Sequence, residues 1–393
     1  MRKQLLSIIV LIIIAIFTVG CSSAEHFYKE GKKSFKNGKY EAAAESFDKA
    51  IKANPNRAEY HIDYGMTLIA LGKYKEALSQ FKDVYVSKDM SIIKENNKRA
   101  LRGSGIAYYD RKEYKKAVKE FDKALNINEL SDLNVDILYY KGSSLRIIGS
   151  YQEAIDTYTK ILTRDKRNAL AYADRAFCYQ CIGSYKEGLD DYDKAIKLDS
   201  DNFEWYFGKY RLLLSQGDEV GANNVLTEAG KIKVKTVEDK YNQAKLHFYQ
   251  ENYEKAVKEL EESLSAGFSE AYYYIGEIYR IKKDNKKAVD YYENYIKMGK
   301  VLTPNVYNQL AVCLMKQQEY KKAIKFLKKG MEFNHSETLQ TFKKNEIIAY
   351  EKLGDFDIAK KKLKSYLKNY PKDKNATQEA EFINSRLMKS VTK

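Results

Sequence analysis

Three residue types are scarce in this 393-residue chain, which has 3 prolines, 4 cysteines and 4 histidines. Few prolines leave long stretches free to be helical. The cysteines, Cys21, Cys178, Cys181 and Cys313, are too few to staple so long a chain. The histidines, His26, His61, His247 and His335, fall in no metal-binding or triad spacing. A glycine-rich phosphate loop is missing as well. The usual carriers of metal, nucleotide and catalytic chemistry are therefore absent. The expectation is a chain that is not an enzyme, holds no metal and uses no cofactor.

What the chain has in plenty is lysine, alanine, leucine and glutamate, all good helix formers. Its hydrophobic content of 44% is that of a folded protein. There are 34 tyrosines, and 69 basic residues stand against 54 acidic ones, a net charge of +15. The excess is uneven, because residues 300–393 hold 20 basic and 10 acidic side chains.

The N-terminus bears on the compartment. Arg2 and Lys3 precede an apolar run from Leu5 to Val19, shorter than the ~20 residues a spanning helix needs. Thr18-Val19-Gly20-Cys21 follows, then Ser22-Ser23. Charged start, apolar run and cysteine together resemble the signal of bacterial lipoproteins, although Thr18 stands where leucine is usual. The resemblance implies cleavage after residue 20 and lipidation of Cys21 by acyl chains of the palmitate kind. It also implies a short linker over residues 21–23 and residence on the extracytoplasmic face of the cell membrane. An uncleaved signal anchor with a cysteine at its edge is the other reading.

Periodicity dominates the rest. Ten anchors recur 32 to 40 residues apart: Tyr40, Tyr74, Tyr114, Tyr151, Tyr185, Glu219, Tyr253, Asn285, Tyr320 and Phe356. Three positions after each stands alanine, or Gly188 in the fifth copy. Seven after stands a large residue, from Phe47 in the first copy to Leu363 in the last. Nine before stands glycine or alanine, except at Tyr210 and Ile347, and two before stands glycine in six copies. Anchor, +3, +7 and +10 share one helix face, so each copy predicts a second helix packed closely on a first one. Glycine marks the turn between them.

Gly38-Lys39-Tyr40-Glu41-Ala42-Ala43, ending in Asn54-Pro55, resembles the tetratricopeptide repeat almost position by position. The resemblance spans about residues 24–373, and Ser269–Gly299 leans towards the related Sel1-like form. It implies an all-α fold, a right-handed α-solenoid of about ten helix pairs. Repeats 1–6 would occupy residues 24–236, repeats 7–10 residues 237–373, and a capping helix residues 374–393, with Ala380, Ile383 and Leu387 on its apolar stripe. Insertions around Val86–Asn97 and Glu129–Val135 fall between repeats, and Gly230–Glu238 is the expected joint.

In this family the first helix of each pair lines a concave groove that holds a partner peptide. Carrying the family's groove positions over selects Tyr28, Lys32, Arg102, Tyr109, Tyr139, Arg146, Phe177, Arg211, Tyr241, Lys245, Tyr273 and Arg280. Tyrosine and arginine are common anchors of protein interfaces. The resemblance thus implies a membrane-anchored scaffold for other proteins or peptides in the cell envelope, with nucleic acid a poor partner outside the cytoplasm. The alternative is an envelope-biogenesis factor binding an anionic cell-wall polymer through the basic C-terminal repeats. Cys178 and Cys181 form a CxxC, but the frame places it in the middle of a first helix with no strand nearby, so packing is its expected role.

Overall fold

The computed structural model describes residues 23–86, 88, 90–298, 304–333 and 336–391. The signal segment and Cys21 lie outside the described residues, as does the side chain of Leu387. Among the described residues there is no strand.

The chain divides into two compact units between Leu198 and Asp199. In the first, helical residues 23–36 pair with Tyr40–Ala53 and Ala58–Ala70 with Tyr74–Val84. Ser91–Asp110 then pairs with Tyr114–Leu125, Asn134–Ile147 with Tyr151–Arg164, and Ala169–Cys181 with Tyr185–Leu198. In the second unit the pairs are Phe203–Ser215 with Glu219–Ala229, Val237–Tyr249 with Tyr253–Ser265 and Ala271–Ile281 with Asn285–Met298. Pro304–Lys316 with Tyr320–Met331 and Ser336–Leu353 with Phe356–Asn369 complete it, followed by Lys374–Val391. Each unit is a segment of all-α solenoid, and each of the ten anchors is the first residue of a second helix.

One contact explains the repeat. A Cβ placed on Gly31, Gly65, Gly105, Gly142 or Gly276 would stand 2.3–2.8 Å from the ring seven residues after the same pair's anchor. The glycine is the floor on which that ring lies. Where alanine replaces the glycine, the large partner is Leu260 for Ala244 and Leu327 for Ala311, while Ala176 faces the aromatic Tyr192 in the one pair whose +3 residue is a glycine, Gly188; all of these are buried. Removing such a ring from water contributes roughly 1.5–3 kcal/mol. The alanine at +3 is fully buried in every pair that has one.

The turns are as uniform as the core. In all ten pairs the residue before the anchor donates its N–H to a carbonyl five residues back, at 2.8–3.0 Å. The residue two before the anchor is left-handed each time. Six are glycines and four are Lys112, Glu251, Lys283 and Gln318. This is the Schellman closure, in which the left-handed residue lets the chain reverse and satisfy the last carbonyls of the first helix.

The two insertions compensate one another. The first lengthens a helix to Ser91–Asp110, whose Asn97 side chain accepts the Val86 N–H at 3.1 Å and donates to its carbonyl at 2.7 Å. From that same extension the buried Lys98 donates to the carbonyls of Ile127 and Glu129, at 2.8 and 2.7 Å, in the second insertion. These part-buried carbonyls, just past the end of Tyr114–Leu125, thereby gain a charge-assisted donor. Gly230–Glu238 lies within the second unit, where Thr236 and Asp239 form a reciprocal capping box.

Ile383 is buried and Ala380 packs against the core of the last pairs, so the final helix covers the end of that stack. Asp373 starts it, accepting from the Tyr366 hydroxyl at 2.6 Å, Lys344 at 3.1 Å and the Ala376 N–H at 3.1 Å. These bonds, the tyrosine's foremost, hold its carboxyl down at about 2. A depressed pKa contributes stability above the ordinary carboxylate range and loses it as pH falls through about 2. Asp373→Asn should therefore speed amide exchange in the first turn of Lys374–Val391 at neutral pH and leave the first unit unchanged, as read by hydrogen-exchange mass spectrometry. In the wild type the same loosening should appear only in strong acid.

Candidate functional site

Within each unit the first helices of successive pairs also pack on one another: Ala58–Ala70 on Ser91–Asp110, that helix on Asn134–Ile147, and Val237–Tyr249 on Ala271–Ile281. No comparable packing joins successive second helices among the described residues. The first helices thus form the inner face of each stack, and equivalent positions one repeat apart meet there.

In the first unit this face is knitted by polar rungs. Tyr28 donates to Asp63 at 2.8 Å, Tyr139 donates to Asp174 at 2.9 Å, and the hydroxyls of Tyr109 and Ser143 lie 3.0 Å apart. Arg102 bonds Asp136. Lys32 lies over the Tyr28 ring at 4.6 Å, and Arg146 over Phe177 at 5.2 Å while reaching Asp174 at 3.7 Å. Burial raises the carboxyls of Asp63 and Asp174. Burial, reinforced by the facing carboxylate, also pushes the Tyr28 and Tyr139 phenols well above their ordinary range, so both remain hydrogen-bond donors.

The second unit is built differently. A ladder of rings crosses three first helices: Tyr210 and Phe207 lie 5.2 and 4.9 Å from Tyr249, and Tyr249 lies 6.3 Å from Tyr274. Phe248 and Tyr273 flank Tyr274 at 5.3 and 5.4 Å, with Tyr295 5.7 Å from Tyr273. Tyr210, Phe248, Tyr249, Tyr273 and Tyr274 are half-buried. Arg211 donates to the Tyr249 hydroxyl at 3.3 Å, and Arg280 pairs with Glu277 at 2.7 Å on its own helix. Lys245 is buried beneath Phe207 and Tyr241, paired with Glu204, and Tyr241 is buried against Phe268.

The carried-over residues therefore sit on first helices, but most hold neighbouring repeats together as well as facing inward. Tyr210, Tyr249 and Tyr274 were missed. Tyr210 occupies the slot nine before its anchor, where the pattern wants a small residue, so its failure to fit was the available signal.

Among the described residues no three His, Cys, Asp or Glu side chains are grouped to hold a metal. His247 is tied to Glu259 at 2.6 Å and His61 to Gln80 at 2.7 Å. Cys178 and Cys181 lie at the C-terminal end of Ala169–Cys181 rather than in its middle. That end disfavours a thiolate. Burial pushes the Cys178 thiol up to about 12 and the Cys313 thiol up to about 11. A maleimide added to the folded protein should therefore label Cys181 long before the other two, and in denaturant the three should react alike. Fast labelling of folded Cys178 would revive a redox role.

Models of the tetratricopeptide repeat match residues 28–92 and 241–301, 304–334 and 348–373. The first set includes the stretch that leans towards the Sel1-like form. The Hsp70-Hsp90 organizing protein of Triticum aestivum is 28% identical over 177 residues, covering 38% of this chain and 30% of that protein. The chain thus spans under a third of that relative's length. An uncharacterized protein of Methanocaldococcus jannaschii is 35% identical over 75 residues, which cover 19% of this chain and 87% of that protein. A solved tetratricopeptide repeat protein from Parabacteroides merdae has a TM-score of 0.48 at 19% identity, covering 63% of this chain and 94% of its own. With the helix pairs, their glycine-floored rings and their uniform turns, the matches to the repeat models mean that the chain belongs to the tetratricopeptide repeat proteins.

Proposed function

We propose that the chain is a membrane-tethered scaffold of the cell envelope that holds partner peptides along the inner faces of its two units. Tetratricopeptide repeat proteins bind other proteins or peptides, and the plant relative is named as an organizer of two others. The observation that carries the reading here is the half-buried ring ladder of Tyr210, Tyr249 and Tyr274 on three successive first helices. Rings already ordered by their neighbours offer contact area at little further entropic cost. The polar rungs of the first unit would keep its inner face rigid in the same way.

Photo-crosslinking in intact membranes tests this. A crosslinker replacing Tyr249 should trap discrete partners, and one replacing Lys258, exposed on the neighbouring second helix, should trap few. Adding Tyr210→Ala and Tyr274→Ala should empty the Tyr249 adducts. Equal yields from the two positions would reject inner-face binding.

A further inference from the structure

The second helices of the last two complete pairs depart from the others in charge. Elsewhere the second helices carry carboxylates among their lysines, and several pair on the same helix: Lys49 with Glu45, Lys52 with Asp48, Lys123 with Glu120 and Lys194 with Asp191. Tyr320–Met331 has lysines at 321, 322, 325, 328 and 329 and no carboxylate. Phe356–Asn369 has them at 360, 361, 362, 364 and 368 against Asp357 alone. Lys322 pairs with Glu293 and Lys362 with Glu346, each at 2.9 Å. Lys328 and Lys329 lie over the rings of Tyr350 and Phe326, each at 5.8 Å.

Six lysines are left: Lys321, Lys325, Lys360, Lys361, Lys364 and Lys368. All are exposed, and among the described residues none has an acidic partner. They lie away from the buried stripes of their helices, Ala323 to Leu327 and Ala359 to Tyr366, so they face outward from the stack.

We infer that this outer face is a second binding surface, separate from the inner faces, whose ligand is a linear phosphodiester polymer. Side chains three or four apart on a helix stand about 5–6 Å from one another, the spacing of Lys321 with Lys325, of Lys361 with Lys364 and of Lys364 with Lys368. That suits a chain carrying one negative charge per repeat unit. Lysine supplies point charges that adapt to a flexible ligand, whereas arginine would impose a fixed fork. Among the described residues the exposed large apolar side chains beside this face are two, Ile358 one turn before Lys361 and Phe333 just past Tyr320–Met331. A bilayer surface rewards a continuous apolar stripe beside the charge, and two isolated side chains do not form one, so the proposal commits to a solvated polymer. Unpaired like charges held on one face repel one another, and a polyanion relieves that repulsion.

The test uses the full chain and a synthetic glycerol-phosphate oligomer, with affinity measured across a salt series. In the wild type the logarithm of affinity should fall with the logarithm of salt at a slope of about 4, six contacts at ~0.7 each. Replacing the six lysines by glutamine should weaken binding about tenfold or more. A control variant with Lys75, Lys115, Lys119, Lys160, Lys186 and Lys197 changed to glutamine should retain most of it. Crosslinking at Tyr249 should be unaffected by the first variant, which keeps this surface distinct from the inner-face reading. The proposal is overturned if the six-lysine variant binds as well as wild type or if the control loses as much. It is also overturned if phosphatidylglycerol vesicles bind through these lysines and the oligomer does not bind.

Discussion

Gly105→Ala should destabilise the first unit by about 1–3 kcal/mol, the usual cost of overpacking a tight core. The added Cβ would stand 2.3 Å from Phe121 Cε1, and Phe121 is fully buried with no room to swing aside. Phe121→Leu alone should also destabilise, by about 1–2 kcal/mol, because part of the ring's volume is left as a void. The informative variant carries both changes. It writes into the third pair the combination already present in the seventh and ninth, Ala244 with Leu260 and Ala311 with Leu327. Its cost should fall short of the sum of the single costs by at least ~1 kcal/mol, within the range measured for touching side chains. Urea unfolding gives the three values, taken from the transition of the first unit, since two units need not unfold together. Strict additivity would mean that the glycine and the ring are independent and that the floor-and-ring account of the repeat is wrong.

Cys21→Ala should have the largest effect on where the protein is found. Under the tethering proposal the processed protein should vanish from the membrane fraction and appear as a longer precursor or a released form. Each buried methylene of an acyl chain contributes about 0.8 kcal/mol, and two chains together hold a protein firmly. The first pair has Lys29, Lys32, Lys33, Lys36 and Lys39 close behind the cysteine in sequence. Near an anionic surface each contributes about 1 kcal/mol at most, weakened further by salt. They can orient the first pair and cannot replace the lipid. Wild-type size and retention in the variant would leave the signal-anchor reading standing.

The repeat frame was legible because its determinants are local. A glycine nine before an anchor, an aromatic seven after it and a glycine two before it act within one helix pair, so they recur at fixed spacings in the sequence. Even the four turns without glycine obey the frame, since Lys112, Glu251, Lys283 and Gln318 take the left-handed conformation at the same slot.

The inner faces were legible only in part. The carried-over positions found residues of the right helices, yet nothing local says that Tyr28 reaches Asp63 or that Tyr139 reaches Asp174. Those contacts join residues 35 apart and depend on how far one pair is offset from the next. The same is true of Lys98, whose carbonyl partners lie 29 and 31 residues on, across two insertions that looked independent in the sequence.

By itself, then, the sequence determined the helix pairs, their boundaries at the anchors and the small-to-large packing inside each pair, because one helix period and one tight turn generate all three. Tertiary structure alone decided which inner-face side chains are spent on joining repeats, which rings line up as a half-buried ladder, and where the chain divides at Leu198. It also decided which C-terminal lysines find a partner. Such outcomes depend on distances between pairs, and no spacing along the chain encodes them.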